Sequence, residues 1–210
     1  MIKAVIFDMD GVLIEAKDWH YDALNRALRL FGFEISRYAH LTTYDGLPTS
    51  KKLEMLSIES GLPRELHGFI NEMKQAYTME LVHSLCKPRF VHEYALSKLS
   101  AMNYKLAVAS NSIRQSMEVM LKKARLDVYL DHVMSASDVK QGKPSPEIYL
   151  KTIERLGLEP HECLIVEDNE NGIRAATASG AHVLAVREVE DVNISNILSR
   201  IRQVNEGTRA

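Results

Sequence analysis

Short runs of uninterrupted apolar residues alternate along the chain with stretches in which apolar residues recur every three or four positions. Four of the runs, Ala4 to Phe7, Leu106 to Ala109, Leu164 to Val166 and Val183 to Val186, suit strands buried on both faces of a parallel sheet, and His132 to Met134 is a shorter fifth. Helical spacing follows most of them, as in Ile113, Met117, Met120, Leu121 and Ala124, or Ile148, Ile153 and Leu156. Strand followed by helix, repeated, predicts an α/β fold with a parallel sheet covered by helices on both sides.

Between about Ala16 and His83 the alternation stops. Only helical spacing is present there: Trp19, Ala23, Ala27 and Phe31, then Leu53 and Leu56, then Leu66, Phe69, Ile70, Met73, Tyr77 and Leu81. Gly46 with Pro48, and Gly61 with Pro63, punctuate the segment. The pattern predicts an all-helical lobe, residues 16–83, inserted into an α/β core built from residues 1–15 and 84–210. A last helical pattern, Ile194, Ile197, Leu198 and Ile201, packs back on the core, and Asn205 to Ala210 is expected to fray.

With 210 residues, 46% hydrophobic and 26% charged, the chain has an ordinary globular composition that excludes disorder. A net charge of -2 with scattered basic residues offers no footprint for nucleic acid or an anionic membrane. No apolar stretch approaches the ~20 residues of a membrane span, and no leader pattern precedes the first strand. A cytoplasmic protein acting on small molecules is expected, with nothing that fixes its oligomeric state; a monomer suffices. Cys86 and Cys163 stand far apart without metal-binding neighbours, which argues against a disulfide framework or a zinc site.

Chemistry-bearing residues gather where the apolar runs end. Asp8 and Asp10 follow the first run, and residues two apart in extended backbone project to one side, so both carboxylates can face a ligand at the carboxyl edge of the sheet. Ser110, Asn111 and Ser112 follow the second run; the serine hydroxyls either cap the next helix or, with its free N–H groups, hold an anion. Arg114, a turn further on, is either a guanidinium fork for phosphate or a solvated side chain. Lys143 lies between Gly142 and the prolines Pro144 and Pro146, a frame that restrains the backbone of a placed charge. Glu167 and Asp168 end another run and supply the hard oxygen ligands that Mg²⁺ prefers, whereas Glu170 and Asn171 suit a helix cap.

In this order and at these strand ends, FDMDGV, ASNS, GKPSPEIY and VEDNENG resemble the four motifs of the haloacid dehalogenase superfamily, and the resemblance spans nearly the whole chain. The resemblance implies a Rossmann-like three-layer αβα core with an inserted helical cap, of the beta-phosphoglucomutase and phosphatase branch. It makes Asp8 the nucleophile, Asp10 the general acid and base, Ser110 a phosphate ligand and Lys143 the phosphate-bridging cation. Mg²⁺ is the implied cofactor, held by Asp8, the backbone carbonyl of Asp10, Glu167 and Asp168. Paired carboxylates and a metal site count against dehalogenation. Schiff-base phosphonate cleavage is disfavoured because no lysine of the insert shows an apolar setting that would depress its pKa.

His20 occupies a position where the mutase branch also carries histidine, near the hinge and the entrance, and an ordinary half-buried helix histidine is the alternative. Tyr44 to Leu53, with Gly46, Thr49 and Lys51, resembles the loop by which such caps select substrate. Where the mutase presents arginine to a phosphate, this chain has Thr49, which counts against holding a bisphosphate intermediate. With Asn111 and Arg114, these form the expected substrate-binding set. The expectation is hydrolysis of a phosphate ester, a sugar phosphate by family analogy. A phosphosugar mutase and a catalytically silent binding module are the alternatives.

Overall fold

The computed structural model describes residues 1–44 and 46–207. Contacts divide the chain into two units: Met1–Glu15 with Lys87–Ala210, and Ala16–Cys86.

Five parallel strands form the sheet of the first unit in the order β3-β2-β1-β4-β5: β1 Ala4–Phe7, β2 Lys105–Ala109, β3 His132–Met134, β4 Cys163–Glu167 and β5 His182–Ala185. The fifth, short run is therefore a strand, and β5 begins one residue earlier than its apolar run. The central strand β1 pairs with β2 from Ala4 opposite Lys105 and with β4 from Ala4 opposite Cys163. Strand alternation sends Ala4, Ile6, Ala107, Ala109 and Ile165 to one face, where Ile148, Tyr149 and Ile153 of α7 (Glu147–Leu156) and Ala175 and Ala176 of α8 (Glu170–Ala178) complete a core. Val5, Phe7 and Val108 point the other way, where α5 (Phe90–Ala101) packs on β2 and on α9 (Ile194–Gly207). The fold is thus the three-layer parallel αβα core expected from the pattern. The region expected to fray from Asn205 is helical through Gly207; 208–210 lie outside the described residues.

In the second unit, α1 (Lys17–Arg29), a short turn α2 (Arg37–Ala39), α3 (Thr49–Ser60) and α4 (His67–Leu85) enclose their own core of Leu24, Ala27, Leu28, Ile35, Leu53, Leu56, Leu62 and Ile70. Asn25 fixes the turn after α1 by donating to the Ile35 carbonyl and accepting from its N–H, both at 2.9 Å. Gly61, at φ 71°, closes α3 in the left-handed conformation that glycine adopts at least cost. No described helix is long and apolar enough to cross a membrane.

Candidate active site

Strand order reverses around β1, because the chain passes from β1 to β2 and β3 on one side and returns to β4 and β5 on the other. A crevice at the carboxyl ends of the strands belongs at such a switch point. Asp8 follows β1 there; its N–H donates to the Val166 carbonyl at 3.0 Å and adds one rung to the β1–β4 ladder. Ser110 does the same after β2, donating from its N–H to the Met134 carbonyl at 3.1 Å. Past Asp8 the chain turns sharply: Gly11 has φ 93° and its N–H donates to the Ile14 carbonyl at 2.7 Å.

Lys143 joins the ends of β1 and β4. Its buried ammonium donates to Asp8 Oδ1 at 2.5 Å and to Glu167 Oε1 at 2.6 Å. The Lys143 backbone is clasped by Asn111, whose Oδ1 accepts from the Lys143 N–H at 2.9 Å while its Nδ2 donates to the Lys143 carbonyl at 3.3 Å. Gly142 gives this clasp room, since a Cβ there would come within 2.6 Å of Asn111 Oδ1. The placed charge read from the Gly-Lys-Pro frame is therefore held both at its backbone and at its tip.

Glu167 is held from two sides. Oε1 accepts from Lys143 and from the Tyr149 hydroxyl at 2.6 Å, while Oε2 accepts from the N–H groups of Asp168 at 3.0 Å and Asn169 at 3.3 Å. A Cβ on Gly172, in the first turn of α8, would fall on this carboxylate. Asp8, Glu167 and Asp168 each place a carboxylate oxygen within 4.8 Å of the others. Three hard oxygen donors of that kind fit Mg²⁺ and not a softer ion. Burial pushes the Asp8 carboxyl well above the usual carboxylate range; Lys143 pulls it down, and Glu167, Asp10 and Asp168 add to the rise. For Lys143, burial lowers the pKa, but Asp8 and Glu167 outweigh it and hold the ammonium above its ordinary value.

Asp10 presents its carboxylate to the serines: Ser110 Oγ donates to Oδ2 at 3.2 Å and Ser112 Oγ at 2.7 Å. Neither serine caps a helix. The Ser112 N–H donates to Ser110 Oγ at 3.0 Å, and α6 (Arg114–Lys123) starts only after Ile113. The Arg114 guanidinium donates to Asp138 Oδ2 at 2.6 Å and to the Val133 carbonyl at 3.4 Å, both partners within the fold. The cap of α8 is Asn169, through Asn171 N–H, with Glu170 and Asn171 in the first turn.

Within the second unit, the segment read as a loop is half helix: Thr49 and Lys51 lie in the first turn of α3, with Lys51 exposed. Gly46 has φ 67°, and Asp45 lies outside the described residues. His20, on α1, has its Nδ1 3.3 Å from Nζ of Lys74 on α4. Lys52 and Lys74 are both buried. Lys74 was legible: Ile70, Lys74, Thr78 and Val82 share the buried face of α4 at intervals of four. The Ser112–Asp10 and Tyr149–Glu167 bonds carried no such signal, because the partners stand 102 and 18 positions apart.

A family model described as haloacid dehalogenase-like hydrolase matches residues 5–186. A phosphorylated carbohydrates phosphatase of Thermotoga maritima is 31% identical over 182 residues, covering 85% of this chain and 82% of its own. Fructose-1-phosphate phosphatase YqaB of Escherichia coli is 28% identical over 183 residues, 87% and 95% of the two chains. In fold, the crystal structure of beta-phosphoglucomutase from Clostridium difficile aligns over 100% of both chains with a TM-score of 0.85 at 22% identity.

Proposed function

The chain belongs to the haloacid dehalogenase-like hydrolases, and from that membership we propose that it is a magnesium-dependent phosphatase of a small phosphorylated metabolite, a sugar phosphate, working through an aspartyl phosphate. The observation that carries this reading is the Lys143 ammonium, bonded to Asp8 at 2.5 Å inside the group formed by Asp8, Glu167 and Asp168. A carboxylate cannot approach an anionic phosphate unless positive charge is placed beside both.

In the proposed reaction Asp8 attacks phosphorus, an Asp8 O–P bond forms and the ester P–O bond breaks. Asp10 gives its proton to the departing alkoxide and then takes one from the water that attacks the aspartyl phosphate, releasing inorganic phosphate. Ser110 donates to a phosphoryl oxygen, and Lys143 balances charge on both Asp8 and the phosphoryl group. Asp8, Asp168 and the Asp10 carbonyl would hold Mg²⁺, with Glu167 at its side; when bound, the ion neutralises phosphoryl charge. Asn111 is assigned to the Lys143 loop and Arg114 to the fold.

Hydrolysis is favoured over phosphosugar transfer because the relatives cited are named as phosphatases and because Thr49 lacks the bidentate fork of an arginine. Choice of ester is assigned to the second unit, through His20, Gly46, Thr49 and Lys51. A cytoplasmic setting belongs to the same reading, since Cys86 and Cys163 are both buried free thiols. The test is phosphate release from a panel of sugar phosphates, pyrophosphate and short phosphorylated acids, with Mg²⁺ and with EDTA. Release from sugar phosphates that EDTA stops and Mg²⁺ restores is expected. Full activity in metal-free buffer, or phosphate passed between sugars with none released, overturns it.

A further inference from the structure

Tyr149 is fully buried on the sheet-facing side of α7, in an apolar core where phenylalanine would fill the same space. Its hydroxyl nevertheless has a partner of consequence. It donates to Glu167 Oε1 at 2.6 Å, the same oxygen that accepts from Lys143 Nζ at 2.6 Å, and that Nζ lies 4.8 Å from the centre of the Tyr149 ring. We infer that Tyr149 is a positioning residue for Lys143, acting through the Glu167 carboxylate; the inference rests on the phosphatase reading and deepens it.

Lys143 divides its ammonium between two carboxylates at nearly equal distances, 2.5 Å to Asp8 and 2.6 Å to Glu167. Where it settles depends on which carboxylate is less satisfied by other donors. Glu167 has three besides Lys143: the Tyr149 hydroxyl and the N–H groups of Asp168 and Asn169. Each reduces its demand on the ammonium and leaves the charge turned to Asp8, where phosphoryl transfer needs it. Without the phenol, a buried carboxylate oxygen loses a donor in a setting where such a loss is costly, and Lys143 is the mobile group that can compensate. The ammonium is then drawn to Glu167 and away from the reacting atoms. The aromatic ring limits its approach path and attracts it weakly.

The test uses the full chain, p-nitrophenyl phosphate and Mg²⁺, with Tyr149→Phe, Glu167→Gln, the double variant and Lys143→Ala. Turnover is referred to folded protein counted by circular dichroism, and melting temperatures are measured alongside. Tyr149→Phe is expected to lower kcat about tenfold, ~1.4 kcal/mol, with KM within about twofold. In the Glu167→Gln background the same change should cost less than about twofold, because the hydroxyl acts through that carboxylate. A Tyr149→Phe variant with wild-type kcat per folded molecule, even at a lower melting temperature, would leave the hydroxyl a purely structural part and overturn the inference. So would a tenfold loss that persists in full beside Glu167→Gln. If the wild type releases no phosphate, or Lys143→Ala retains turnover, the phosphatase reading falls and the inference with it. A normal Tyr149→Phe in an enzyme that Lys143→Ala silences overturns the inference alone.

Discussion

Gly172 stands in the first turn of α8, where alanine would ordinarily be the better helix former by about 1 kcal/mol. Here the sign is reversed, because the added methyl falls on the Glu167 carboxylate that Lys143, Tyr149 and two N–H groups hold. Gly172→Ala is therefore expected to lower turnover by at least about tenfold and to cost about 1–3 kcal/mol of stability through overpacking. Activity assays and urea unfolding check both, and a stabilised, active variant would contradict the packing. Asp8→Asn should abolish turnover and keep the fold: it removes the nucleophile, and it also removes a charge that burial and three neighbouring carboxylates disfavour. Phosphate release and circular dichroism decide it. At this scale the sequence exposes charges at strand ends but not their mates. Asp8, Asp10, Lys143 and Asp168 are legible as charges at strand ends or in a restrained frame from type and position; the pairing of Arg114 with Asp138 is not, because only the folded chain joins them.

Helix α7 illustrates how an element carries a loop. Glu147, in its first turn, accepts from the N–H groups of Lys140 at 3.0 Å and Gln141 at 2.9 Å, and pairs with Lys151 one turn on. Those bonds, Lys151 first, depress its pKa from 4.5 to about 2. A depressed carboxyl contributes stability that is present above its unfolded value and lost as pH falls through the folded one. Exchange protection of the Lys140 and Gln141 amides should therefore persist at pH 5 and disappear as pH falls from about 4.5 towards 2, and Glu147→Gln should weaken it at every pH. Loss of protection near neutrality would refute the linkage. Strands β1, β2 and β4 are legible as elements because burial on both faces leaves an unbroken apolar run, whereas β3 and β5, at the sheet edges, are only half-buried. Helix α5 escaped, since Val91, Ala95, Leu96 and Leu99 follow a surface segment with no strand immediately before it. Pro48 reads as punctuation and so predicts a loop over Gly46 to Lys52, whereas it is the N-cap residue of α3.

The first unit is discontinuous in sequence, yet its two chain ends meet: Arg89 pairs with Glu15 at 3.0 Å and also with Glu190. Replacing residues 16–86 by a short glycine-serine bridge is thus expected to leave a cooperatively unfolding αβα core that retains its sheet, as judged by circular dichroism and a single urea transition. Collapse to an unfolded chain would show that the core depends on the insert. The central strand adds a consequence in time. β1 is the first strand made, but one of its neighbours spans residues 105–109 and the other residues 163–167. During synthesis its amides must wait on both edges while the helical unit, contiguous over Ala16–Cys86, already has every residue of its own core. Nascent chains halted before β4 leaves the ribosome should accordingly leave one edge of β1 open to chaperones and proteases and protect the helical segment, so that the strand made first is still unsafe after the helical unit is finished.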